Sequence, residues 1–292
     1  MIRLTRVGPL TTLQDAGRFG QLASGIAASG PMDAAAYAEA GARLGKCGST
    51  AIEYTTAGLA LEVEESLRLA WAGGRFACAV NGKPRPWPGT ARLAAGDRLE
   101  ITPGAAGNYG YLRFERELDV PPVLGSRATN LTVGLGGHAG RALAAGDSFG
   151  FGAPGELPSP SRLRPAADGP IRVIWGLHAD LFPGDLRQAF AAKPFQISSR
   201  LDRMGARLVD SQGVFAGSRQ LSLVSDAIVP GDIQILGDGT PIVLLRDHQP
   251  TGGYPRIATI VSADLDRFVQ LRPGTALQFQ PVTVARAQEL LK

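Results

Sequence analysis

From Leu59 to Ile101 apolar side chains recur at every second position: Leu61 and Val63, then Leu67, Leu69 and Trp71, then Phe76, Cys78 and Val80. Successive side chains of an extended chain point to opposite faces, so this period of two selects strands buried on one side and is incompatible with the 3.6-residue helical repeat. Asn81-Gly82, two residues that tolerate positive φ, predicts a tight hairpin from which Lys83 to Trp87 run back. A turn element follows. Leu93-Ala94-Ala95-Gly96-Asp97 leads into Arg98 to Ile101, and Leu143-Ala144-Ala145-Gly146-Asp147 leads into Ser148 to Phe151. Looser versions stand at Val229 to Ile235 and Arg272 to Phe279, so one turn grammar feeds strands in both halves and leaves a duplicated β-barrel open. With 38 glycines and 21 prolines in 292 residues the chain is rich in turns, while its 44% hydrophobic content excludes disorder. A mainly β fold with a few short helices follows.

The helices are predicted at Ala34 to Leu44, capped by Asp33 and ended by Gly45, then near Asp180 to Phe190 with an interruption at Pro183-Gly184, at Asp264 to Leu271, and at Thr283 to Leu291. Further strands are expected over Ile2 to Leu13, Ala51 to Tyr54, Ile171 to Trp175 and Leu277 to Phe279. Prolines 154, 158, 160, 165 and 170 mark a connector over 154–169 between an N-terminal domain, 1–153, and a C-terminal one, 170–292.

A formal charge of +4 without a Lys/Arg cluster argues against nucleic-acid or membrane partners. No apolar stretch approaches the ~20 residues of a membrane span, and two cysteines, Cys47 and Cys78, with no cationic, apolar signal segment point to a reducing cytoplasm. His138, His178 and His248 lack partners at ligand spacing, so no metal site is expected. The glycine-rich run Gly134 to Arg141 lacks the Lys and Ser/Thr of a phosphate-binding loop.

Chemistry concentrates at Asp247-His248-Gln249-Pro250-Thr251-Gly252-Gly253-Tyr254-Pro255, directly after the apolar run Pro241 to Leu245. Asp247 and His248 can handle a proton, Gln249 can bond a carbonyl or amide, Tyr254 offers a flat face with a hydroxyl, and the glycine pair permits backbone angles that let amides converge on one oxygen. Ser126-Arg127 offers a hydroxyl beside a forked donor for a carboxylate or phosphate, and Asp202-Arg203-Met204-Gly205-Ala206-Arg207 sets two arginines around a glycine. Asp33 has a cap role besides any ligand role, and Glu53 is as suited to backbone amides as to substrate.

Five segments in one order, Gln14 to Gly20, Ser29 to Asp33, Val123 to Thr129, Asp202 to Leu208 and Asp247 to Pro255, resemble the allophanate hydrolase subunit 2 family, also called biotin-dependent carboxyltransferase-like, which includes KipA and the C subunit of 5-oxoprolinase. The resemblance implies two cyclophilin-like β-barrel domains. It also implies partners, a B-type chain (KipI-like, or allophanate hydrolase subunit 1) and an A-type chain, in an ATP-dependent assembly that opens the lactam of 5-oxoproline to glutamate and outside which the protein is inactive. The ATP site would lie on another chain. Two alternatives are a KipA-like regulator that binds a kinase inhibitor, and a carboxyltransferase using carboxybiotin carried elsewhere, since none of Lys46, Lys83, Lys193 and Lys292 has the setting for covalent biotin. The resemblance implies Asp247, Arg127, Arg203 and Asp15 as catalytic residues, with Arg18, Asp33, Ser126, Gln249, Thr251, Gly252, Gly253 and Tyr254 binding substrate. Two stretches depart from the family pattern, Arg43 to Cys47 and Glu115-Arg116, where glycines are usual; both are expected to alter a ligand pocket or subunit surface.

Overall fold

Alternation holds the first, nine-stranded sheet: Leu59, Leu61 and Val63, Leu67, Leu69 and Trp71, Phe76, Cys78 and Val80, and Leu99 and Ile101 enter one apolar interior from the strands Leu59–Val63, Leu67–Val80 and Arg98–Phe114. The computed structural model describes residues 1–154, 169–217 and 223–291, so the connector expected over 154–169 lies, from 155 to 168, outside the described residues. The chain divides into two units. The first holds Met1–Gly20 and 28–154; the second holds Gln21–Ala27 with 169–217 and 223–291. Both are built on sheets that curl toward barrels, and the fold is mainly β.

In the first unit the strand path runs Ser148–Phe149, Ile2–Val7, Leu59–Val63, Arg98–Phe114, Ala51–Thr55, Thr12–Gln14, and Leu67–Val80 pairs antiparallel with Arg98–Phe114. Trp71 is fully buried at its centre, its indole N–H donating to Pro86 O at 3.0 Å. The Asn81-Gly82 hairpin forms with φ of 51° and 74° and the pair Val80↔Lys83 closing it. The expected strand Ile2 to Leu13 is instead two, Ile2–Val7 and Thr12–Gln14, because Gly8-Pro9-Leu10 breaks it, Leu10 taking φ 56°. Helix α1 (Ala34–Leu44) has the predicted bounds, with Asp33 Oδ1 accepting from Ala36 N at 2.9 Å.

The second unit is an eight-stranded sheet ordered Ala276–Leu277, Phe195–Leu201, Gly205–Val209, Pro241–Leu244, Asp232–Ile235, Arg256–Ile260, Ile171–Trp175, Phe279–Pro281. Phe190, on helix α2 (Gly184–Ala192), stacks on Phe279 with ring centroids 4.9 Å apart, and Phe195 and Phe215 pack around them. Helix α3 (Ser262–Val269) covers Ile171–Trp175, and Thr283 caps the terminal helix α4 (Val284–Glu289) by accepting from Arg286 N.

The repeated turns are alike in geometry. Gly96, Gly146, Gly231 and Gly274 all have φ between 85° and 97°, and the N–H of each donates to a neighbouring strand carbonyl, those of Val63, Leu4, Leu244 and Ile197. In the first three the following aspartate folds back onto the N–H three residues earlier: Asp97 onto Ala94, Asp147 onto Ala144, Asp232 onto Val229.

Candidate functional site

Within the first unit, two distant loops meet around a buried carboxylate. Asp15, 8% exposed, follows directly on Thr12–Gln14, and its side chain accepts three hydrogen bonds, from Ser126 Oγ (2.6 Å), Arg127 N (2.6 Å) and Gly17 N (2.9 Å). Arg18, 1% exposed, complements it by donating to the carbonyls of Val123, Ser126 and Ala128 at 2.9 to 3.2 Å. The segment so held contains a two-residue turn in which Leu124 and Gly125 both have positive φ, 51° and 81°. A leucine in that region is strained, and here it orients the Ser126-Arg127 pair that follows.

Arg127 is the half-buried end of this arrangement. Its Nε donates to Val120 O at 2.6 Å, its Nη1 stands 3.9 Å from Glu117, and its side chain keeps 27% of its surface. Glu117 accepts from Ser49 N, Ser49 Oγ and Thr50 N. Burial pushes its carboxyl up, but the hydrogen bonds from Thr50 and Ser49 outweigh that and leave it below the usual range. Tyr37 donates to Ser49 O at 2.5 Å under the Arg113 guanidinium, which lies 4.3 Å above its ring. Burial pushes the Tyr37 phenol up to about 12; Arg113 opposes this, while Asp15, Cys47 and Glu117 add to it. Arg113 is itself buried beside α1, where a Cβ on Gly41 would stand 2.3 Å from its Nη1.

Asp33 caps α1, and its N–H donates to Tyr111 Oη, which donates in turn to Glu53; Glu53 also accepts from Met32 N. Of the two roles open to Asp33 and Glu53, the structure fills the backbone one. The glycine-rich run also serves this frame: a Cβ on Gly136 would meet Ala128 O at 2.3 Å and Arg18 Nη2 at 2.4 Å.

Within the second unit, Arg203 and Asp247 form a two-pronged ion pair (Nε to Oδ2 3.0 Å, Nη2 to Oδ1 3.1 Å), each 1% exposed. Asp247 N also donates to Arg203 O, and Leu245 N to Met204 O, so the pair stitches the two loops side by side. This geometry fits Asp247 and Arg203 to positioning, with the carboxylate engaged by the guanidinium. Beyond it, Gln249 is half-buried, Thr251 and Tyr254 are exposed, and Thr251–Gly252 pairs with Asp226–Ala227. His248 bonds its own loop, Nδ1 to Gln249 O, and burial pulls its imidazole below the ordinary value.

The glycine pair works differently from the sequence expectation. Neither Gly252 nor Gly253 takes a left-handed φ; a Cβ on Gly252 would stand 2.5 Å from Gln234 Nε2, and one on Gly253 3.0 Å from Leu223 O. Close approach of neighbouring atoms, not unusual backbone angles, is what glycine eases there. Arg256, buried after the loop, supports the ribbon by bonding Ala227 O and Asp226.

The two departing stretches make contacts within the first unit. Arg43 pairs with Glu39 one turn earlier, and Cys47 is buried against Leu44 and Ala70. Glu115 accepts from Arg68 N and pairs with Arg92, while Arg116 bonds Glu65 and Phe151 O and lies over the Phe151 ring.

Sequence reasoning passed over Tyr37, Arg113, Glu117 and Arg256. Arg113 had a signal, since a cation stands in the otherwise apolar strand end Tyr109 to Phe114; Tyr37, on a helix face rich in alanine, had little.

Comparison with known proteins decides the family. The model of the carboxyltransferase domain, subdomains A and B, matches residues 24–281. The chain belongs to this carboxyltransferase-domain family. Among family members, the C subunit of 5-oxoprolinase from Escherichia coli (strain K12) is 34% identical over 98% of this chain and 93% of its own length, and its namesake in Haemophilus influenzae is 33% identical over 99% and 94%. The crystal structure of the Kluyveromyces lactis urea amidolyase aligns with a TM-score of 0.86 and 28% identity, covering 98% of this chain and 19% of that one. These carboxyltransferase-domain proteins are thus named as one component of a multi-chain enzyme or as part of a larger chain. No described helix is long and apolar enough to cross a membrane.

Proposed function

We propose that the chain is the C-type component of a 5-oxoprolinase assembly, working with A-type and B-type chains to open the lactam of 5-oxoproline to glutamate at the expense of ATP. The observation that carries the site reading is Arg127: its backbone and Nε are fixed by Asp15 and Val120, and its side chain keeps 27% of its surface. Such a fixed, planar donor suits the carboxylate of 5-oxoproline. Near full-length likeness to two proteins named as the C subunit of 5-oxoprolinase supports the substrate.

Opening the ring adds water to the lactam carbonyl carbon and breaks the C–N bond, the nitrogen leaving as the amine of glutamate. The oxyanion formed on the way needs donors. Arg127 holds and orients substrate in the first unit, on the loop that Ser126 anchors through its hydroxyl bond to Asp15; in the second unit, Arg203 and Asp247 fix the loop that presents Gln249, Thr251 and Tyr254. ATP is bound by another chain of the assembly, and the isolated protein turns nothing over.

Co-purified with its cognate partners, the chain should release glutamate from 5-oxoproline only when ATP is present. Arg127→Ala should raise KM by about 10–100-fold, with Arg127→Lys intermediate, in a complex of unchanged composition. A well-folded complex that makes no glutamate sinks the activity; an unchanged KM in Arg127→Ala sinks the site. A second reading, carboxyl transfer from biotin carried on another chain, draws on the family's description and on the likeness to urea amidolyase. Avidin separates the two: it stops the second reaction and leaves the first untouched.

A further inference from the structure

Behind the sheet of the second unit, a hollow of about 440 Å³ lies between α3, α4 and the strands Ile171–Trp175 and Arg256–Ile260. Its walls are mostly apolar, with Ile174, Val229, Ile260, Leu265, Val284 and Leu291 among them, and Val229 and Val284 remain about half exposed at its margin. That volume falls within the range of small-molecule sites. A cation borders it. Arg246 contributes a side chain that is only 27% exposed, makes no hydrogen bond to the described residues, and has a buried Nε without a partner. Its nearest acidic group is Asp266, whose Oδ1 is 3.9 Å from Nη2, too far for a hydrogen bond. A guanidinium offers five donors in a fixed fork, and leaving the buried Nε unused is costly unless something else accepts from it. Val261 and Ser262 also border the hollow, at the start of α3, where no side chain caps the helix, so the local backbone field favours an anion too.

We propose that this hollow is a binding site for a compact apolar monocarboxylate, its hydrocarbon body between α3 and α4 and its carboxylate on Arg246. One guanidinium beside a mostly apolar wall, whose other polar members Thr259, Ser262 and Gln288 are uncharged, matches a single negative charge on a hydrophobic body better than a phosphate or a zwitterion. The site lies wholly within the second unit and is independent of the oxoprolinase reading.

Hexanoate is the probe, titrated calorimetrically into the isolated chain without ATP or partners, with hexan-1-ol and hexylammonium as matched controls. Hexanoate should saturate one site with a Kd on the order of 1 mM, and both controls should bind at least about tenfold more weakly. Arg246→Met should weaken hexanoate by about tenfold or more, and Ala287→Trp, which fills the hollow from α4, should abolish its binding. No saturable binding of hexanoate, equal binding of hexanoate and hexan-1-ol, or undiminished binding in both variants overturns the proposal. The wild-type ligand series decides by itself if a variant fails to fold. Because neither ATP nor a partner is present, failure here leaves the glutamate assay unaffected as a test of the other reading.

Discussion

Replacing Asp247 by Asn removes the charge and keeps the shape, which separates positioning from proton transfer. Arg203 and Asp247 are each 1% exposed and joined by two hydrogen bonds, so the variant leaves a guanidinium buried against a neutral amide. Breaking a buried pair on one side costs about 3–5 kcal/mol. For a unit of roughly 130 residues, an unfolding entropy of about 2.1 cal/mol/K per residue gives near 0.27 kcal/mol/K, so the transition of the second unit should fall by about 10–20 °C. Scanning calorimetry on the isolated chain reads this directly. The double variant Arg203→Met with Asp247→Leu, which removes both charges and their desolvation, should recover most of the loss. Asp247→Asn melting within about 2 °C of the parent, while its complex loses glutamate production more than about a hundredfold, would refute the positioning argument and make the carboxylate a proton-transfer group.

Asp264 accepts from Arg172 N at 2.8 Å and from the Arg172 and Arg267 guanidinium groups. Burial raises its carboxyl, but these donors outweigh it and leave the folded value below the ordinary one. A depressed folded value gives stability that is complete above about pH 4 and is lost as pH falls through the folded value. Asp264→Asn should therefore flatten the decline in unfolding midpoint below pH 4; an unchanged acid limb counts against the assignment. On the alkaline side, burial raises Tyr37 to about 12 and holds Tyr54 and Tyr111 well above their usual range. Raised folded values mean stability present below about pH 10 and lost as pH climbs through them. Absorbance at 295 nm should show no more than about two of the five tyrosines ionised at pH 11 while the protein stays folded, and all five in denaturant. Simultaneous titration of all five near pH 10 in the folded chain contradicts the burial.

The strands were legible because side-chain alternation is a local property: Leu67, Leu69 and Trp71 declare their shared face without knowledge of what packs there. Caps were legible for the same reason, since Asp33 and Thr283 bond the N–H three residues ahead. What the sequence concealed is long-range. Nothing near Gly41 announces the Arg113 side chain that passes it, and nothing near Gly252 announces Gln234. Glu115-Arg116 suggested an altered pocket or subunit surface because charge in place of glycine attracts that reading; that Arg68, Arg92 and Glu65 are its partners within the first unit could not be read locally. The candidate loops were legible as polar clusters, but which polar group is locked depends on the partner: Asp247 lies under Arg203, while Arg127 keeps 27% of its side-chain surface beside Glu117.

The bonds from Asp15 to Ser126 and Arg127 span 111 and 112 residues, and Arg18 and Gln14 reach as far. During synthesis at roughly 5–20 residues per second, Asp15 therefore leaves the ribosome about 5–20 s before the loop it must hold. In that interval a carboxylate and a guanidinium destined for burial have only water to bond. The Ser126-Arg127 loop is a closing step of the first unit, set after the long strand Arg98–Phe114 is in place. Fragments ending near residue 100 should thus carry most of the strands and only the Asp15 and Arg18 half of the site, and any dissection of this protein that hopes to keep Arg127 in position must retain both ends of the first unit together.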